Sequence, residues 1–160
     1  MYRVRSIESG DSDGLLTVWR ETWTATYAAS LGDTAIEAML RDLDVRGVAS
    51  MVPLESAQAL CLLHDDEIIG SAIYSTDGPV AYLWGMYIKP HHQRSGAGAL
   101  LLQSVQDGAG QRPIEVRVLR SSTHAKSFYR KHGFQSVGEE LTEIMSGVEE
   151  LCLIMIRSQR

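Results

Sequence analysis

The stretch Met86-Tyr87-Ile88-Lys89-Pro90-His91-His92-Gln93-Arg94-Ser95-Gly96-Ala97-Gly98-Ala99-Leu100-Leu101 decides how the rest of the chain is read. It leaves an apolar and aromatic run, Val80 to Ile88, whose near-continuity predicts a central strand covered on both faces. Past the turn, Leu100, Leu101, Ser104 and Val105 recur at helical spacing, and the helix is closed by Gly108 and Gly110. Gly96 and Gly98 stand at the junction, where the lack of a Cβ lets a backbone approach a bulky anion. The unpaired N–H groups of a helix's first turn add donors and a favourable dipole at that point. One reading is a pyrophosphate held by main-chain N–H groups around Arg94 to Ala99, with the Arg94 guanidinium adding charge. The other is a plain turn, since two glycines at a strand-to-helix junction serve that purpose as well.

Outward from this junction the apolar period changes. Upstream, Ala59 to Leu63, the polar segment His64-Asp65-Asp66-Glu67 and Ile68 to Tyr74 predict a β-hairpin. Before the hairpin, Leu15, Leu16, Trp19, Thr22, Trp23, Thr26 and Tyr27 form a helical stripe behind Asp11 and Asp13. Ile36, Met39, Leu40 and Leu43 mark a second helix after Asp33, and a short strand near Tyr2 to Ser6 precedes both. Downstream, Ile114 to Leu119 reads as a strand and Ala125 to His132 as a helix stopped by Gly133. Phe134 to Gly138 and Leu151 to Ile156 read as two last strands. The layout is α/β, a mixed sheet with flanking helices.

A chain of 160 residues, 44% of them hydrophobic, suffices for one core, and no linker or repeat interrupts it, so a single domain over residues 1–160 is expected. The formal charge of −5 argues against a nucleic-acid partner. No stretch approaches the roughly 18 apolar residues of a membrane span, and the N-terminus lacks a leader-like apolar run, which together predict no membrane partner and a cytoplasmic protein. Cys61 and Cys152 each sit in an apolar run and read as core thiols of a reducing compartment. The five histidines show no helix-spaced pairing, so no metal is expected, and His91 and His92 read as solvated loop residues.

The quoted stretch resembles the acetyl-CoA-binding motif of the GCN5-related N-acetyltransferases, Gln/Arg-x-x-Gly-x-Gly/Ala, here Gln93-Arg94-Ser95-Gly96-Ala97-Gly98. Further on, Ala125-Lys126-Ser127-Phe128-Tyr129, in a helix ending at Gly133-Phe134, resembles that family's second signature. The two motifs and the strand between them cover the C-terminal half, while residues 1–57 match only in their two-helix layout. The resemblance implies a GNAT-like fold, a mostly antiparallel central sheet flanked by helices. It also implies acetyl-CoA as co-substrate and transfer of an acetyl group to an amine of a small molecule or peptide. Sheet-edge homodimers are common among proteins of this kind. A non-catalytic acyl-CoA-binding module with the same fold is the alternative. A Rossmann-type nucleotide site fits less well, because the third glycine of its motif is missing.

By the same resemblance, Gln93 to Gly98 hold the pyrophosphate, and the thioester lies beside Met86 and Ile88, whose N–H groups would bond its carbonyl while their side chains need only be core. Tyr129 is implied as the acid for the departing thiolate; a core aromatic is the other reading, since Ala125, Phe128 and Tyr129 share a face. Ser122 stands where the family carries an Asn that contacts the pantetheine arm, and it equally suits a helix N-cap. Lys126, Arg130 and Lys131 either meet phosphates or complement the helix dipole. The general base is unassigned: residues 79–92 contain no acid, and Glu21, Glu139, Glu140 and His91 are candidates without distinction. Tyr27 and Trp84 are candidate walls of a pocket favouring a cation, with Trp19 and Trp23 explained more cheaply as core.

Overall fold

A computed structural model describes residues 1–50, 56–145 and 147–159. The elements run β1 (Tyr2–Ser6), α1 (Ser12–Leu31), α2 (Asp33–Arg46), β2 (Gln58–His64), β3 (Glu67–Ser75), β4 (Ala81–Ile88), α3 (Ala97–Ala109), β5 (Ile114–Leu119), α4 (Thr123–Lys131), β6 (Gln135–Met145) and β7 (Val148–Arg157). One seven-stranded sheet has the order β1-β2-β3-β4-β5-β7-β6. Every neighbouring pair is antiparallel except β4 and β5. That parallel pair needs a crossover, which α3 supplies. The β2–β3 turn places Asp65 and Asp66 at φ of 49° and 71°, the two left-handed residues of a tight hairpin, a geometry that short Asp side chains tolerate.

Strand alternation sorts the core into two layers. On one face, Leu15, Val18, Trp19, Trp23, Ile36, Met39 and Leu43 of α1 and α2 pack on Cys61, Leu63 and Ile73. On the other, Leu101, Leu102, Val105 and Tyr129 of α3 and α4 pack on Leu62, Ala72, Leu83, Ile114, Val116 and Val118. The Trp19 indole N–H donates to Ser71 Oγ at 2.8 Å, which satisfies the buried donor and makes Trp19 a core residue. Cys61 and Cys152 are buried free thiols. Arg5 reaches from β1 with two N–H···O bonds to Asp11, at 2.8 and 3.0 Å, ahead of α1. With the Glu8 N–H also donating at 2.7 Å, the Asp11 carboxyl is held down to about 2.

Two expectations need correction. β4 is not covered on both faces: Trp84 is 43% exposed and Tyr82 half-buried. Among the described residues, the layer under α1 and α2 contains none from β5, β6 or β7, so the helices stop short and this side of β4 borders an open sheet face. The last two strands are also much longer than the apolar pattern predicts, because β6 is the edge of the sheet, where Glu139, Glu140 and Glu143 can face solvent without disturbing the ladder to β7. α3 runs past Gly108 and ends at Gly110.

Candidate active site

The site begins where two strands part. β4 and β5 pair only over Ala81–Leu83 and Ile114–Val116. Beyond that, β4 continues to Ile88 on β3 while β5 continues to Leu119 on β7, leaving one edge of each strand without a neighbour. A bulge starts the separation: Ile73 faces Gly85 and Tyr74 faces Leu83, so Trp84 has no partner in register on β3. Lys89 N–H donates to Ile69 C=O at 2.8 Å. Antiparallel alternation then turns Tyr87 toward β3 and aims the N–H groups of Met86 and Ile88 into the gap. These are the two residues the sequence placed beside a thioester, and the opened edge is the physical reason a mid-sheet strand has donors to offer.

Directly after β4, a 3-10 turn at Pro90–His92 leads into the turn at residues 93–98. The Gln93 side chain folds back, its Nε2 donating to Ile88 C=O at 2.9 Å, and so fastens the turn to the end of the strand. Arg94 and Gly96 both take left-handed backbone, at φ of 61° and 86°. For Gly96 this is free, whereas for arginine it costs about 1–2 kcal/mol. Alternating handedness of this sort directs successive N–H groups into one concavity. The first helical bond of α3 runs from Leu100 N–H to Gly96 C=O at 3.1 Å, so Ala97, Gly98 and Ala99 have no acceptor one turn back. Gly98 proves to serve packing too: a Cβ there would lie 3.0 Å from the Phe128 ring, so its absence lets α4 close against α3. The Arg94 guanidinium lies 3.1 and 3.2 Å from the two ring nitrogens of His124, which ties the turn ahead of α3 to the first turn of α4. Ser95 Oγ is turned aside, donating to His92 C=O at 2.5 Å, so its hydroxyl proton is committed within the turn. Ser122 occupies the N-cap position of α4 but makes no capping bond with its side chain.

Tyr129, 6% exposed, comes from α4 on the far side of the gap. Its ring meets Phe128 and Phe134 edge-on at 5.3 and 5.1 Å, the packing expected of a core aromatic. Burial pushes its hydroxyl well above the ordinary tyrosine pKa, with the neighbouring Tyr87 hydroxyl acting in the same direction. Tyr129 is therefore fully protonated at neutral pH.

Tyr87 is a residue that the sequence reading passed over. Its ring folds back along β4, so that a Cβ on Gly85 would sit 2.8 Å from its Cε2. It meets Trp23 at 6.3 Å between centroids, and burial raises its hydroxyl while nearby Tyr27 and Trp23 donors pull it the other way. Tyr27, also raised by burial, thus lies beside Tyr87. The signal in the sequence was Gly85, since a glycine inside a strand pattern marks a bulge or a close approach. Trp84 turns to the open face instead, tilted against Tyr82 at 4.4 Å, over which the Arg117 guanidinium sits at 5.5 Å. The structure therefore does not bring Tyr27 and Trp84 together as two walls of one pocket: the bulge sends Trp84 toward Tyr82 while Tyr27 lies near Tyr87.

The carboxylates considered as bases are each engaged. Glu21 lies 3.9 Å from Lys89, Glu139 3.6 Å from Arg120 and Glu140 3.5 Å from Arg117. His92 is not a solvated loop residue, because its ring packs with those of Tyr2 and His64 at 6.0 and 5.1 Å. Among the described residues, no group of three or more His, Cys, Asp or Glu side chains is arranged to hold a metal, and no helix is long and apolar enough to cross a membrane.

With this geometry in place, comparison with known proteins is informative. Residues 27–146 match the family model described as the acetyltransferase (GNAT) domain. A spermidine N(1)-acetyltransferase of Thermoplasma acidophilum is 26% identical over 140 residues, covering 82% of this chain and 87% of that protein. The crystal structure of PaiA N-acetyltransferase from Thermoplasma acidophilum in complex with coenzyme A superposes with a TM-score of 0.76 at 25% identity, covering 99% of both chains. A GCN5-related N-acetyltransferase from Kribbella flavida shares the fold, with a TM-score of 0.68 at 21% identity over 98% of this chain and 97% of that one.

Proposed function

The chain belongs to the GNAT acetyltransferase family and is an N-acetyltransferase, and we propose that it transfers an acetyl group from acetyl-CoA to a primary amine by direct attack on the thioester. The observation that carries this reading is the parting of β4 from β5, which leaves the Met86 and Ile88 N–H groups unpaired beside a left-handed anion turn and a buried, protonated tyrosine. Residues of this one chain supply each function the reaction needs. The N–H groups around Ser95 to Ala99 take the pyrophosphate, and Arg94 adds charge at the rim. The Met86 and Ile88 N–H groups stabilise the oxyanion formed when the amine nitrogen bonds to the thioester carbon. As the C–S bond breaks, the Tyr129 hydroxyl hydrogen-bonds or protonates the departing thiolate. The ammonium proton leaves the acceptor through water, since the nearby carboxylates are held by cations.

The acceptor is a small molecule or a protein terminus, and a polyamine is the first to test. In support, the named relative acts on spermidine, the chain carries a net charge of −5, and exposed Trp84 beside Tyr82 presents ring faces suited to a cation. The test is CoA release from acetyl-CoA over a panel of polyamines, aminoglycosides, amino acids and peptides. Turnover of spermidine above the others is expected. Tight CoA binding with no turnover on any amine would instead make the chain a non-catalytic acyl-CoA-binding module.

A further inference from the structure

We infer that Tyr2, from the N-terminal strand, is a positioning residue for the anion turn. The inference rests on the acetyl-CoA reading above. Tyr2 pairs with His64 across β1 and β2, and its ring lies 4.8 Å from the His64 ring. Its hydroxyl reaches over to the turn, 3.1 Å from Ser95 Oγ and 3.3 Å from His92 Nδ1.

The direction of these bonds follows from counting protons. Ser95 commits its single hydroxyl proton to the His92 carbonyl, so its oxygen can only accept from Tyr2. Tyr2 has then used its own proton, and its oxygen accepts from His92, which fixes the imidazole proton on Nδ1. The result is a closed circuit from the His92 ring through Tyr2 and Ser95 back to the His92 main chain. It spans His92 to Ser95 and so encloses the left-handed Arg94, directly before the left-handed Gly96. Such backbone persists only when its surroundings over-determine it. Gln93 fastens one end of the turn to β4, and Tyr2 fastens the other to β1.

Tyr2→Phe tests this, because it keeps the ring and its packing on His64 and deletes only the hydroxyl. The CoA dissociation constant should rise about tenfold, the scale of one lost hydrogen bond, with kcat at saturating acetyl-CoA and the melting temperature little changed. Ser95→Ala should produce a similar rise, and the double variant should be no worse than either single one. With S-acetylpantetheine, a donor without the pyrophosphate, wild type and Tyr2→Phe should react at equal rates. Unchanged CoA affinity in Tyr2→Phe overturns the inference, as does an equal loss with S-acetylpantetheine. A wild-type protein that fails to bind CoA at all overturns the acetyl-CoA reading itself, and this inference with it.

Discussion

The turn at residues 93–98, proposed as the donor side of the site, and the aromatic residues of α1 and β4, proposed as its acceptor side, are built by different means. The turn is made of consecutive residues, fixed by backbone handedness and by side chains that fold back onto main chain, as Gln93 and Ser95 do. The aromatic layer gathers side chains from α1 and β4 and is shaped by a bulge and by the space over Gly85. A phosphate recognised by N–H groups can be encoded in a short contiguous motif. An acceptor recognised by side chains depends on how distant elements pack.

Several substitutions break or sharpen this contrast. The largest effect is expected at the point where the two sides meet: Tyr129→Phe should lower kcat about 10²-fold while leaving CoA affinity unchanged, read by steady-state CoA release and calorimetry. Unchanged turnover would reduce Tyr129 to a core aromatic. On the donor side, Gly96→Val forces a β-branched residue into left-handed backbone and should weaken CoA binding about tenfold or more, with no specific effect on acceptor KM. On the acceptor side, Gly85→Ala places a methyl 2.8 Å from the Tyr87 ring and should raise acceptor KM about fivefold through displacement of that ring, while CoA affinity holds. An equal loss for both ligands would show that the two sides are not separable. Trp84→Ala should raise KM for a cationic acceptor about two- to fivefold, the scale of an exposed cation–π contact.

A last, smaller effect concerns the scaffold shared by both sides. Asp11 is held below its usual 3.8, to about 2, by Arg5. A carboxyl with a lowered native value binds its proton more readily when unfolded, so its stabilisation is complete above pH 3.8 and is lost as pH falls toward 2. Asp11→Asn should flatten the pH dependence of thermal stability across that window.

Much of the local structure on the proposed donor side was legible because its information is local. Glycine spacing, the strand-to-helix change of period and the Phe128-Tyr129 helix all lie within short windows of sequence. Less was legible in β4, where an unbroken apolar run read as full burial. Tyr82 and Trp84 are hydrophobic enough to pass as core, and only the extent of α1 and α2 decides that they face an open sheet. His92 was misread for a related reason: nothing near it in sequence announces Tyr2 or His64, which reach it through β1 and β2.

The sequence by itself determined the mixed α/β fold, the family resemblance and the position of the glycine turn between β4 and α3, because periodicity, backbone handedness and glycine's missing Cβ act over a few residues. Only the tertiary structure decided that β4 and β5 separate after Leu83, that Tyr87 rather than Trp84 sits beside Tyr27, and that Tyr2 braces the turn. Those facts arise from strand register and helix coverage, which are set by the competition of long-range contacts and which no short window of residues contains.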